Sequence, residues 1–219
     1  MLFRSFDLIW FDFARPNAPH FRPVPGQESG AAIARRAVQA GAFVAIAHPQ
    51  WSGLTPEDMR EIDAAHAVEI YNHGCAMGCD RPDGFALADQ LLSEGRRVSL
   101  IATDDAHFHE PDHFGGWVMV KAPENTPESL LAALKRGDFY SSQGPLLHDV
   151  RIEGRKVVVE SSAVVSVVAM GRGQGAMGVH GRSMTRTEVS LDRMEGSPWL
   201  RVSVIDAAGR RAWSNPIWR

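Results

Sequence analysis

Histidine and carboxylate recur at three places in this chain, each directly after an apolar, strand-like run. Phe43-Val44-Ala45-Ile46-Ala47 leads into His48-Pro49. Ala67-Val68-Glu69-Ile70-Tyr71 leads into Asn72-His73, and Val98-Ser99-Leu100-Ile101-Ala102 into Thr103-Asp104-Asp105-Ala106-His107. Parallel α/β folds gather the carboxyl ends of their strands on one face, and chemistry collects there. Imidazole and carboxylate are the usual ligands of Zn, Mn or Fe at hydrolytic sites. Asp105 and His107 lie two residues apart, so extended chain sends both side chains the same way. Glu69 alternates with Val68 and Ile70 and therefore points opposite to them, into the rim. Pro49 stiffens the turn that carries His48. Taken singly, each has an ordinary explanation: a backbone-bonded loop histidine, a glutamate paired with arginine, a chance Asp-x-His. Together, at three strand ends, His48, Glu69, Asp105 and His107 read as ligands of a divalent metal. Such a metal would lower the pKa of its water and create a nucleophile near neutral pH, and two metals would clamp both oxygens of a phosphoester displacement. His109 and His113 read as solvated, His66 as a helix-end cation outside the site, and His20 has no assigned role.

The elements that must position these groups alternate. Glu28 to Ala40 reads as a helix ended by Gly41. Thr55-Pro56-Glu57 starts a second, running to about Ala65, with a hydroxyl cap, an early proline and acid at the positive dipole end. A Gly-rich loop follows residue 71, then a helix at 85–93 and a strand at 97–102. This helix–strand alternation from 28 to 102 predicts a parallel sheet with crossover helices. Trp117 to Val120 reads as a further strand. Thr126-Pro127-Glu128 opens a helix whose stripe is Leu130, Leu131 and Leu134. Before all of these come a short strand at 8–13 and a Pro-rich loop at 15–26. Beyond Tyr140 the runs become β-branched (150–152, 157–160, 164–168, 200–204) and are separated by turns, which predicts a small antiparallel β domain. Gly171 to Gly178 lacks the phosphate-loop pattern and reads as a hairpin loop. The expected organisation is an α/β metal-site domain at 1–145 and a β domain at 146–219. Residues 1–140 supply fewer strands than the seven or eight of a closed barrel, so the sheet stays open, is closed by a second copy of the chain, or lacks strands preceding Met1.

The 219 residues carry a net charge of -3, 44% hydrophobic and 22% charged side chains. These are values of a globular chain with no electrostatic call for nucleic acid. No apolar run approaches ~18 residues and the start lacks the form of a signal peptide. Cys75 and Cys79 read as free thiols in a reducing compartment. The expected location is the cytoplasm.

Five stretches, in order, resemble the PHP family (polymerase and histidinol phosphatase), in its phosphoesterase branch with a small C-terminal β domain. They are Val44-Ala45-Ile46-Ala47-His48-Pro49, Val68-Glu69-Ile70-Tyr71-Asn72, Ala102-Thr103-Asp104-Asp105-Ala106-His107-Phe108, residues 132–145 and residues 206–217. The resemblance implies part of a distorted, TIM-like (β/α)7 barrel, followed by a β-sandwich-like domain. It also implies up to three divalent metal ions (Zn, Mn or Fe) and hydrolysis of a small-molecule phosphoester, with neither nucleic acid nor membrane required. His48, Asp105 and His107 are its implied ligands, and Glu69 a rim ligand or water-orienting base. Asn72, His73 and Cys75 stand where a further ligand belongs, and His73 is counted among the metal ligands. Asp104 and Glu69 are the candidate catalytic residues. The chain departs from the family in one respect. A His-x-His near the first barrel strand is absent before His48, and the chain's His-x-His is His107-Phe108-His109. The expectation is therefore a chain beginning downstream of the family's usual start or an eroded site, with an inactive binding or scaffold module as the alternative to the hydrolase.

Overall fold

A computed structural model of the chain describes the backbone of residues 8–11 and residues 28–219. The Pro-rich loop at 15–26, with His20, lies outside the described residues. The first half runs β1 (Leu8–Phe11), α1 (Gly30–Gln39), β2 (Phe43–Ile46), α2 (Pro56–Glu61), β3 (Ala67–Asn72), α3 (His73–Cys79), α4 (Phe85–Ser93) and β4 (Ser99–Thr103). These strands form one sheet in the order β1-β2-β3-β4, in which β2, β3 and β4 are parallel and β1 pairs antiparallel with β2.

Local chemistry explains the helix ends. Ser29 caps α1, and Thr55 and Asp58 form a reciprocal capping box at α2, each satisfying amides that have no partner within the helix. α2 stops at Glu61, short of the predicted Ala65. There the Arg96 guanidinium donates to the carbonyls of Met59 and Ile62 and closes the helix. Both faces of the parallel strands are covered, which suits their nearly continuous apolar sequence. Val44, Ile46, Val68, Ile70 and Leu100 pack on Ala34, Ala37, Met59, Leu91 and Leu92. Phe43, Ala45, Ala67 and Ile101 face Leu131, Leu134 and Phe139.

The second half runs β5 (Trp117–Val120), α5 (Pro127–Arg136), β6 (Phe139–Ser142), β7 (Leu147–Glu153), β8 (Lys156–Gly171), β9 (Ala176–Ser190), β10 (Trp199–Ile205), β11 (Arg211–Ser214) and β12 (Ile217–Trp218). Every pairing here is antiparallel, in the order β5-β6-β11-β10-β8-β7, with β9 on β8 and β12 on β10. Irregularities between Glu160, Val164 and Ser166 shift the register of β8 against β9. Such bulges bend a strand, and β8 pairs with β7 through its first part and with β10 through its last.

This architecture corrects the expected (β/α)7, TIM-like barrel and the separate β-sandwich. The described residues hold five α-helices against twelve strands, and the antiparallel strands curl as one half-barrel sheet. The physical reason lies in α5. It joins β5 to β6, which pair antiparallel, so strand–helix–strand order there makes no parallel crossover.

Specific contacts join the halves. Trp199 and Trp213 enter the core of the parallel strands. Arg201 forks onto Asp89 at 2.8 and 2.7 Å and lies 4.2 Å over the Phe85 ring. The Asn215 side chain accepts from the Leu100 amide at 2.7 Å and donates to the carbonyls of Gly137 and Phe139, each at 2.9 Å.

Candidate functional site

His48 follows β2 and Asp105 follows β4, the strands on either side of β3, and this order brings the two together. His48 Nε2 lies 3.9 Å from Asp105 Oδ2. The imidazole is 5% exposed. Its Nδ1 pairs with Ser52 Oγ at 2.8 Å, and Trp51 stands edge-on with ring centroids 4.8 Å apart. One face of the ring pair opens on a cavity of about 720 Å³, whose wall includes His48, Trp51, Cys75, Cys79, Asp105, His107, His109, Glu110 and Asp112. The backbone around the cavity is unusual. His48 (φ 25°), Asp80 (φ 56°), Asp105 (φ 51°) and Phe108 (φ 60°) all take positive φ. Non-glycine residues adopt that region at a cost and cluster at functional sites.

Glu69 is fully buried and does not line the cavity. Its Oε2 accepts from the His48 backbone amide and from Asn72 Nδ2 at 3.1 Å, and its Oε1 accepts from Thr103 Oγ1. Burial lifts its pKa to about 7 in spite of these donors, and the charge of Asp105 adds to the rise. Asn72 Nδ2 also donates to Asp105 Oδ2 at 3.1 Å, while its Oδ1 accepts from the Cys75 amide at 2.7 Å and caps α3. Burial pushes the Cys75 thiol up to about 12, and Cys75 and Cys79 are both free.

The remaining predicted residues are placed as follows. The exposed His107 shares the cavity wall, and its amide, with that of Phe108, is held by the Asp112 carboxylate at 2.7 and 3.2 Å. Those amides hold Asp112 below the usual carboxylate range. Asp104 turns elsewhere, accepting the amides of Phe114, Gly115 and Gly116 at 2.6, 2.9 and 2.8 Å. His73 pairs with Tyr71 Oη at 2.9 Å and packs so closely on Gly115 that a Cβ there would sit 2.1 Å from its ring. His48, Asp105 and His107 thus share one cavity and Glu69 is tied to it through the His48 amide, whereas Asp104 and His73 belong to the neighbouring loop contacts. His66 differs from the expected helix-end cation. It lies between α2 and β3, accepts the Val44 amide at 3.2 Å and stacks on Phe43, and burial lowers its pKa.

Sequence reasoning gave no role to Ser52, Trp51, Glu110 or Asp112. Ser52 had a faint signal, four residues from His48 across a turn. The others reach the cavity through loop geometry that has no period.

Among the described residues no group of three or more His, Cys, Asp or Glu is placed to hold a metal ion. Two donors of one tetrahedral ion with bonds of ~2.1 Å stand ~3.4 Å apart, so the His48–Asp105 pair fits as two donors after a small closure. The Ser52 contact orients the imidazole as outer partners of metal-binding histidines do. Glu69, with both oxygens already accepting, does not add a third donor.

No family model, curated protein or solved structure matches this chain. No helix among the described residues is long and apolar enough to cross a membrane.

Proposed function

We propose that this chain is a cytoplasmic, metal-dependent hydrolase of small-molecule phosphoesters, with His48 and Asp105 as its metal-facing pair and His107 on the same cavity wall. The observation that carries the reading is the meeting of His48 and Asp105, 3.9 Å apart, on the wall that also holds His107. Zn, Mn or Fe at such N/O donors supplies Lewis acidity and a nucleophile from water near neutral pH. The chain's own residues do the rest. Ser52 orients the His48 ring, Glu69 fixes the turn that carries it by accepting its amide, and Asp112 holds the loop that presents His107. The cavity is large enough for a small ester and open to solvent. The two free thiols suit a reducing compartment.

A second reading is a binding module without turnover. The engagement of both Glu69 oxygens by internal donors favours it, since that carboxylate is withdrawn from the cavity.

One experiment separates the readings: metal content of the purified chain, then hydrolysis of p-nitrophenyl phosphate and bis-p-nitrophenyl phosphate with added Mn²⁺, Zn²⁺ or Fe²⁺. The hydrolase reading expects metal-dependent turnover that drops on the order of 100-fold in His48→Ala and His107→Ala. Turnover indifferent to both substitutions, or none with any metal, removes it. Saturable Mn²⁺ binding without turnover selects the binding module.

A further inference from the structure

We propose that Asn72 is a positioning residue that sets the place of Asp105 against His48, by tying carboxylates from neighbouring strands into one unit. Asn72 ends β3 and is fully buried. Its amide makes three contacts at once: Nδ2 donates to Glu69 Oε2 and to Asp105 Oδ2, both at 3.1 Å, and Oδ1 accepts the Cys75 amide at 2.7 Å. A backbone amide can only donate. Cys75 therefore decides which end of the Asn72 side chain is oxygen and turns both of its N–H groups to the carboxylates.

Glu69 in turn accepts the His48 amide. A continuous hydrogen-bonded path thus runs from the turn after β2, through β3, to the turn after β4. Two carboxylates drawn to one point repel, and hydrogen bonds to charged acceptors are among the stronger ones. The Asn72 amide supplies a donor to each without adding charge. Helix capping alone does not call for this residue, because serine caps as well as asparagine. Serine is too short to span both carboxylates, and aspartate replaces the two donors with a third negative charge. Asn72 meets both requirements.

The functional half of this inference rests on the hydrolase reading, and its structural half stands alone. The test uses Asn72→Ser, which keeps a cap and loses the bridge. Asn72→Asp serves as a second variant that keeps Oδ1 and loses the donors. The readouts are crystal structures of the metal-free proteins and calorimetric titration with Mn²⁺. In both variants Asp105 is expected to leave its position 3.9 Å from His48 Nε2. In Asn72→Ser the Mn²⁺ affinity is expected to fall about 10–100-fold, the range for losing a partner that orients a ligand. Asp105 unmoved in the variants overturns the proposal. So does wild-type affinity in Asn72→Ser where the wild type binds Mn²⁺. A wild type that binds no Mn²⁺ while Asp105 shifts in the variants upholds the positioning role and removes the hydrolase reading.

Discussion

The rim around His48 and the curled antiparallel sheet are built on opposite terms. Of the six described non-glycine residues with positive φ, five (His48, Asp80, Asp105, Phe108 and Phe114) belong to the rim and its loops, and Ser183 alone to the sheet. At the rim carboxylates are turned inward: Glu69 is sealed off from water, and Asp104 and Asp112 clasp backbone amides. In the sheet, Arg201 apart, charges face out in exposed pairs such as Lys156–Glu188 and Arg155–Asp192, while Val157, Val159, Val167, Val202 and Val204 fill the inside. Apolar burial with regular pairing supplies stability, whereas strained backbone and buried charge cost it. The difference teaches that the sheet stabilises a rim shaped for something other than stability.

Three measurements break or sharpen this contrast. The largest effect belongs to Trp199→Ala, at the meeting of the two halves. Removing so large a fully buried side chain is expected to cost about 4 kcal/mol in urea unfolding, and a loss below about 1 kcal/mol places the stabilising core elsewhere.

The next effect is a pH dependence at the rim. In the metal-free protein the Glu69 pKa is raised from 4.5 to about 7. Between those values the folded state binds the proton more tightly than the unfolded one. Stability from this group is therefore full below pH 4.5, falls as pH rises to 7, and is level above. The total change is up to about 3 kcal/mol. Glu69→Gln, whose amide nitrogen can face the Thr103 hydroxyl, is expected to flatten this slope in chelator-treated protein, and an unchanged slope counts against a buried, reluctant anion.

The smallest effect is at the sheet surface. Arg155→Ala breaks a fully exposed pair with Asp192 and is expected to leave the unfolding midpoint within error. A clear shift there undoes the claim that the sheet's outer charges are incidental.

What could be read from the sequence was what is local. The Thr55 and Thr126 caps form as their spacing predicts, because a cap is decided within four residues. Strands 43–46 and 99–103 carry runs that nothing but a covered strand would bury. The segment after Tyr71, predicted as a Gly-rich loop, is instead the helix α3. Gly74 is there for closeness rather than freedom. Its amide meets the Asp104 carbonyl at 2.7 Å, and a Cβ would stand 3.0 Å from that same oxygen. The barrel expectation failed because alternation of element types does not carry strand direction, as α5 shows. At the site, residue types and strand ends pointed to His48, Asp105 and His107, which share a cavity, and equally to Asp104 and His73, which do not line it. They did not indicate which oxygens face the cavity. That depends on amides presented by turns, such as the His48 amide on Glu69 and those of residues 114–116 on Asp104, and turn conformation is not written in periodicity.

Asn215 carries a consequence for how the molecule comes apart. One side chain near the C-terminus closes a hydrogen bond on the amide of Leu100 and two on the carbonyls of Gly137 and Phe139. Detaching the segment at 215–218 therefore strips a partner from β4, the strand that ends the parallel sheet, so release of this segment and opening of that sheet are one cooperative event. The slowest-exchanging amides of both halves should share a common opening free energy.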